Sequence, residues 1–273
     1  MKSFGELFNE SWKEYKTNFK VYSVIIFLFL FIPSIIIVAA GIPLTAHIYN
    51  LDSNIDYSFL EIFKPSLITP LILIWIISLI LQFFVTASFL YNSLFKKQNK
   101  VMTVKETLSG GRKYFWKVFG FSVVTAILLI FLTLAFIIPG IIFMIFWIFA
   151  AYILVNENTG IIESLKKSYY LVKGRWWRTF GFILLYFIII IAISIAFSLF
   201  AELINLAIKA PYNLKAPLEN LIKETQKYPL NILIITSFIE QIFNSLLVFI
   251  TLPLGVFFLK NFYLDMKRSK KKQ

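Results

Sequence analysis

Long uncharged runs decide what this chain can fold into. Val21 to Ala46, Leu67 to Leu94 and Val118 to Ile138 contain no charged residue, and Phe180 to Ile208 and Asn231 to Leu259 carry one each, Glu202 and Glu240. A run near 20 residues with almost no charge spans hydrocarbon as a helix, because a helix satisfies its own backbone groups there. Ile141 to Val155 is a shorter sixth run, so a re-entrant or shallow hairpin stands beside a full crossing as its reading. Composition points the same way: 59% of the 273 residues are hydrophobic and 15% charged, where a soluble domain has about 45–50% and ~25%. The expected fold class is all-α. It is an integral membrane helical bundle with about six transmembrane helices in three hairpins, each preceded by a basic amphipathic interfacial helix.

Three amphipathic stretches separate these runs. Ser3 to Asn18 opens on a capping-box pair, Ser3 and Glu6, and Phe4, Leu7, Phe8, Trp12, Tyr15 and Phe19 share one helical face. Such a helix lies in the headgroup plane with Trp12 as its anchor. The N-terminus does not read as a cleavable signal, since its leader is long and carries Glu6, Glu10 and Glu14. Thr103, followed by Glu106, opens the second stretch, whose apolar stripe is Val104, Leu108, Gly111, Phe115 and Val118. Arg112, Lys113, Trp116 and Lys117 sit at its end. The third runs from Thr159 to Arg178, with Ile161, Leu165, Tyr169, Val172 and Trp176 facing one way. Pro33, Gly41-Ile42-Pro43 and Pro253 interrupt apolar runs, and Pro139-Gly140 reads as an uncharged turn. Lys96, Lys97 and Lys100 stop the second span. A polar loop is expected over 47–64 and a short helix around Leu218 to Tyr228.

Charge asymmetry gives an orientation. With six spans and a cytosolic N-terminus, the inner segments hold 22 of the 27 Lys and Arg residues, as the positive-inside rule requires. Both termini then face the cytosol. The net charge of +13 implies an anionic membrane surface as partner rather than nucleic acid. Frequent Ile, Lys, Phe and Asn point to an AT-rich prokaryotic genome, hence a prokaryotic cytoplasmic membrane. Trp116-Lys117-Val118-Phe119-Gly120-Phe121 aligns with Trp177-Arg178-Thr179-Phe180-Gly181-Phe182, and Ser11-Trp12 aligns more weakly with Ser168-Tyr169. The chain thus reads as one membrane domain of three repeat units, approximately 1–94, 101–155 and 159–260, with a basic tail over 261–273.

Several chemistries find no footing. There is no cysteine and one histidine, so thiolate chemistry and an H-E-x-x-H metal site are excluded. His47, near the outer end of the first span, reads as an interfacial residue. No nucleophile elbow, P-loop or dinucleotide fingerprint occurs. Ser194 and Ser198 have no base partner and read as helix-packing hydroxyls. No catalytic residue, cofactor or metal site is expected.

Two candidate sites stand out. Glu240, with Gln241 and Asn244, lies inside an apolar run, and an ionisable group at membrane depth is by default a functional candidate. Glu202, Asn205 and Gln82 are its possible partners. Three readings stay open: an occluded ligand or proton site, hydrogen bonding between helices, or an interfacial carboxylate on a helix that starts later. The second candidate is an anionic-lipid patch of Lys173, Arg175, Trp176, Trp177 and Arg178, where guanidinium and indole suit a phosphate headgroup.

The stretches Pro139-Gly140, Ala150-Ala151-Tyr152-Ile153-Leu154-Val155, Ile162-Glu163-Ser164-Leu165-Lys166-Lys167-Ser168 and Lys173-Gly174-Arg175-Trp176-Trp177 carry a family resemblance. So do Phe4-Gly5-Glu6-Leu7, the stretch to Asn18-Phe19, and the tail from Pro253 to Arg268. Together they resemble the membrane domain of glycerophosphoryl diester phosphodiesterases and related stand-alone proteins. The resemblance implies a membrane domain and not the hydrolytic activity, whose barrel is a separate soluble domain. It assigns no functional residue. The expected function is therefore a non-enzymatic, multi-pass scaffold or lipid-interacting protein, with membrane lipids and a membrane or envelope protein as the candidate partners. A small-molecule or lipid carrier is the alternative, motivated by Glu240, the repeats and the proline-broken spans.

Overall fold

A computed structural model describes residues 1–49, 64–95, 101–213 and 228–270. Every regular element among them is helical. The elements are α1 (Phe4–Ile26), a π-helical stretch (Phe27–Phe31), α2 (Ile32–Tyr49), α3 (Pro65–Phe95), α4 (Val104–Ala135) and α5 (Ile137–Phe146). Then come α6 (Ala150–Asn156), α7 (Ile161–Val172), α8 (Trp176–Asn213) and α9 (Leu230–Lys270). Among the described residues six continuous helical stretches are long and apolar enough to cross a membrane, the signature of a multi-pass membrane protein. Of the polar loop expected over 47–64, residues 47–49 instead end α2 and 50–63 lie outside the described residues, as do Lys96, Lys97, Lys100, residues 218–227 of the short helix expected around Leu218 to Tyr228, and Lys271 and Lys272.

The first two amphipathic stretches are not separate helices. α1 begins at the capping box, where Ser3 N–H donates to Glu6 Oε2 at 2.7 Å and Glu6 N–H to Ser3 Oγ at 3.3 Å. It then runs without a break to the π-helical turn. Pro33 accounts for that turn: a proline ring collides with the carbonyl four residues back, and a widened turn relieves the collision. Ser34 Oγ donates to the Phe31 carbonyl at 2.7 Å. α4 likewise starts at a complete Thr103–Glu106 capping box and continues straight through the expected start of the third span. Among the described residues only α7 stands apart as an amphipathic helix. It ends at Gly174, whose φ of +84° suits glycine at a helix C-terminus, so Trp176 to Arg178 open α8 instead.

The turn expected at Pro139-Gly140 occurs earlier, at Phe136, which is extended (φ −160°, ψ 129°). The reason is again the proline. Pro139 is the third residue of α5, where its missing N–H has no intrahelical partner to lose, but its ring forbids a helix running back through residue 135. Gly140 then packs against Thr133 so closely that a Cβ there would lie 3.2 Å from Thr133 Cα. The fourth run is itself divided, with turn residues 147–149 between α5 and α6.

The described helices fall into two compact units. The first comprises Met1–Ile26, Leu81–Ile190 and Phe249–Gln273, the second Phe27–Ile80 and Ile191–Val248. The first unit has an extensive core in which Leu7, Tyr114, Phe149, Tyr152, Phe258, Phe262 and Met266 are buried together. The second buries little. Ile72, Leu73, Trp75 and Ile77 on α3 are 51–57% exposed, a surface suited to lipid and unsuited to water.

Candidate functional site

A polar seam runs through the first unit along α1. Ser11, Glu14, Asn18 and Tyr22 recur at helical spacing on one side. Ser11, Asn18 and Tyr22 are essentially buried. Ser11 Oγ accepts from Asn261 Nδ2 at 3.1 Å and donates to the Leu7 carbonyl at 2.6 Å. Lys260 Nζ reaches both Glu14 oxygens, at 2.6 and 2.7 Å. Tyr22 donates to Asn92 Oδ1 at 3.1 Å, and Asn92 Nδ2 donates to Thr107 Oγ1 at 2.7 Å. This last relay joins α1, α3 and α4. The face read from spacing is divided: Trp12 and Phe19 are exposed at 36% and 46%, while Leu7 and Tyr15 are buried. Small polar groups take the inner face because other helices present partners to them.

The expected lipid patch is divided by the fold. Arg178 is an internal clamp. Its Nη2 donates to the Lys2 carbonyl at 2.5 Å and to Asp265 Oδ2 at 3.5 Å, and its guanidinium lies over Phe182, 4.8 Å from the ring centroid. Asp265 accepts in turn from the Lys2 backbone N–H at 3.2 Å to each oxygen. Arg175 Nη1 donates to Ser269 Oγ at 2.8 Å. Trp176 stacks on Phe180 with centroids 5.1 Å apart and donates through Nε1 to the Ile142 carbonyl at 3.3 Å. Of the five residues, Lys173 and Trp177 are exposed, Trp177 at 78%. Its counterpart in the aligned segment, Trp116, is exposed at 75%. The two indoles also make the same edge-to-face contact three residues on, Trp116 with Phe119 at 6.1 Å and Trp177 with Phe180 at 6.2 Å.

Glu157 forms a second charged node at the end of α6. It accepts from Lys167 at 3.0 Å and from Lys267 at 2.7 Å, and Tyr263 donates to it at 3.3 Å. Burial pushes the Glu157 carboxyl up, but the hydrogen bonds and charges of Lys267 and Lys167 outweigh it and hold the group below its ordinary value. A depressed carboxyl stabilises the fold above its unfolded pKa, about 4.3 for Glu. That contribution is lost as pH falls through the lower folded-state value. Wild type should melt above Glu157→Gln at neutral pH, and the gap should close as pH falls below about 4. Thermal melts of the two proteins across this range check it, and a gap that is independent of pH refutes it.

The second unit holds most of the Glu240 group. Asn205 Nδ2 donates to Glu240 Oε1 at 3.1 Å, joining α8 to α9. Asn205 is fully buried and its Oδ1 has no partner among the described residues, whereas Glu240, Glu202 and Asn244 are exposed. Gln241 Nε2 donates to Ser245 Oγ at 3.2 Å, and Ser245 Oγ lies 3.1 Å from Ser34 Oγ on α2. Gln82 is exposed on α3 and belongs to the first unit. A small groove of about 220 Å³ is lined by Val38, Gly41, Ile42, Thr45, Ile234 and Ser237. Among the described residues no group of three or more His, Asp and Glu side chains is placed to hold a metal.

A family model described as a domain of unknown function, DUF7847, matches residues 104–262, more than half of the chain. The chain belongs to the DUF7847 family. No curated protein and no solved structure matches it. The DUF7847 segment starts on the first residue of α4 and ends on Phe262. It takes in Trp116, Glu157, Trp177, Arg178, Glu240 and Lys260, while Ser11, Glu14 and Asp265 lie outside it.

Sequence reading missed the buried partners of this DUF7847 protein: Glu14 with Lys260, Ser11 with Asn261, and Tyr22 with Asn92 and Thr107. One signal was present. Ser11, Asn18 and Tyr22 recur at helical spacing beside a stripe of aromatic residues, and small polar groups in such a row suit hydrogen bonding between helices. The partners themselves had no local signal.

Proposed function

We propose that this chain is a non-catalytic, multi-pass protein of a prokaryotic cytoplasmic membrane that holds anionic lipid at a basic cytosolic boundary and serves there as a scaffold. In this reading both termini are cytosolic, the spans pair as three hairpins, and α7 with the first turns of α1 and α4 lies at the headgroup level. The resemblance to the membrane domain of glycerophosphoryl diester phosphodiesterases supports a place beside envelope lipid metabolism, by analogy alone.

One observation carries the reading. Trp116 and Trp177 stand 75% and 78% exposed beside basic residues, each where a polar helical end gives way to an apolar face. Indoles favour the membrane–water interface, and cations beside them favour anionic headgroups. From Trp116 to the break at Phe136, α4 rises about 30 Å, the thickness of the hydrocarbon core.

The carrier alternative has the buried, unpartnered Asn205 Oδ1 beside Glu240 in its favour. Against it, the Glu240 side chain is exposed and not enclosed in a site. Native mass spectrometry of the full chain extracted in its own lipid, with flux assays in vesicles, tests the proposal. Retained anionic phospholipid without solute or lipid flux is the expected result. Flux across protein-containing vesicles would replace the scaffold with the carrier, and a chain free of lipid would end the lipid-binding reading.

A further inference from the structure

The continuity of α4 places a graded surface on one helix face. Lys105, Ser109, Arg112, Lys113 and Trp116 follow at spacings of three and four residues, and Val123, Ile127, Ile130 and Leu134 continue the same face. All are exposed, and from Trp116 onward the side chains stand 41–78% open. Read along the helix, the order is ammonium and guanidinium, then indole, then aliphatic. A phospholipid presents the complementary order of phosphate, glycerol and acyl chain.

The basic end of this face is concave. A groove of about 420 Å³ opens between α3 and the start of α4, lined by Tyr91, Lys105, Glu106, Ser109, Gly110 and Lys113. That volume is within the range of small-molecule sites, about 300–1,000 Å³. Gly110 forms its floor. A Cβ there would lie 1.8 Å from Tyr91 Cδ1, so the tyrosine ring can lie against the helix only because the side chain is missing. The one carboxylate in the lining is engaged: Glu106 Oε2 accepts from Thr103 N–H at 2.7 Å and from Thr103 Oγ1 at 3.0 Å. Lys105, Arg112 and Lys113 form no ion pair among the described residues. Arg175 and Arg178, by contrast, are engaged with the protein itself.

We infer that the α3–α4 groove is a binding site for the phosphate headgroup of an anionic phospholipid. Lys105 and Lys113 contact the phosphate, Ser109 Oγ supplies a hydroxyl donor, Trp116 marks the interface, and the acyl chains lie along Val123 and Ile127, the half of the apolar face nearest the headgroup. The inference rests on the lipid-binding reading and gives it an address. A lipid is favoured over free phosphate because the basic groove leads without interruption into an indole and an exposed aliphatic face, which a soluble ion would not use.

The test uses the full chain. Lys105→Gln/Lys113→Gln is compared with a control variant, Lys166→Gln combined with Lys20→Gln, which removes the same charge from exposed positions outside the groove, and with Lys105→Arg/Lys113→Arg. Binding to phosphatidylcholine vesicles with and without phosphatidylglycerol is measured, alongside binding of inorganic phosphate in detergent. The groove variant should lose anionic-vesicle affinity about tenfold, the control variant less than about twofold, and the arginine variant little. All should melt with wild type, since the substituted side chains are exposed. Equal losses in the groove and control variants would overturn the site while leaving diffuse lipid binding intact. Saturable phosphate binding in detergent that the groove variant loses would assign the groove to a soluble ion and overturn the lipid. No preference for phosphatidylglycerol in any protein would overturn the lipid-binding reading itself.

Discussion

Lys260→Ala is expected to cost about 3 kcal/mol of stability and to lower sharply the melting temperature of the detergent-extracted protein. The Lys260 side chain is 8% exposed and its ammonium lies 2.6 Å from Glu14 Oε1. Removing it leaves a carboxylate against a largely apolar core, and breaking a buried pair from one side costs about 3–5 kcal/mol. Glu14 is 29% exposed, which brings the expected loss to the lower end. The double change Glu14→Gln/Lys260→Met takes both charges away and should recover much of that loss, since apolar replacements of a buried pair are often neutral. A Lys260→Ala protein that melts with wild type would show that the pair contributes nothing net.

The second large effect concerns helix approach. A Cβ at Gly111 would lie 1.9 Å from Ser88 Oγ and 2.8 Å from Ser88 Cα. The hydroxyl can turn away, but the backbone atom cannot, so α3 and α4 must separate. Overpacking of this kind costs about 1–3 kcal/mol for a small excess. Gly111→Ala should fall in that range and Gly111→Leu well beyond it. The separation would also part Asn92 from Thr107, which are 2.7 Å apart in a fully buried site, and strand the Asn92 Nδ2 donor. Protease resistance and melting of the two variants measure this, and a stable Gly111→Leu protein would contradict the close approach. Small residues at helix crossings are the usual device of membrane bundles, where packing must supply what the hydrophobic effect does not.

What was legible in the sequence was local. Ser3 with Glu6 and Thr103 with Glu106 sit three residues apart, and both pairs cap their helices as read. The apolar runs exposed the six candidate spans because hydrocarbon leaves the backbone so few options. Gly111 and Val118, read as part of one stripe, are buried together on α4. The errors also had local causes. Pro139-Gly140 looked like a turn, yet proline is tolerated within the first turn of a helix and moves the break upstream to Phe136. A change from amphipathic to wholly apolar sequence looked like a helix boundary in α1 and α4, yet no residue there stops the backbone hydrogen bonding.

What was illegible was pairing across the chain. Arg178 carries the same charge and the same neighbouring tryptophan whether it faces a headgroup or Asp265. Only the position of a carboxylate 87 residues away distinguishes the two. The Glu240 group behaves alike: spacing named Asn205 as a partner among several, and the fold joined that one to it.

The partners of α1 have a consequence for how the protein is made. Ser11 and Asn261 are 250 residues apart, Glu14 and Lys260 are 246 apart, and Lys2 and Asp265 are 263 apart. At a synthesis rate of roughly 5–20 residues per second, α1 leaves the ribosome roughly 10–50 seconds before the residues that satisfy it. During that interval Glu14 and Asn18 must rest in the wet headgroup layer, because hydrocarbon would offer them nothing. The first helix is therefore made well before it reaches its final contacts, and the closing of the first unit waits for the end of α9 to emerge.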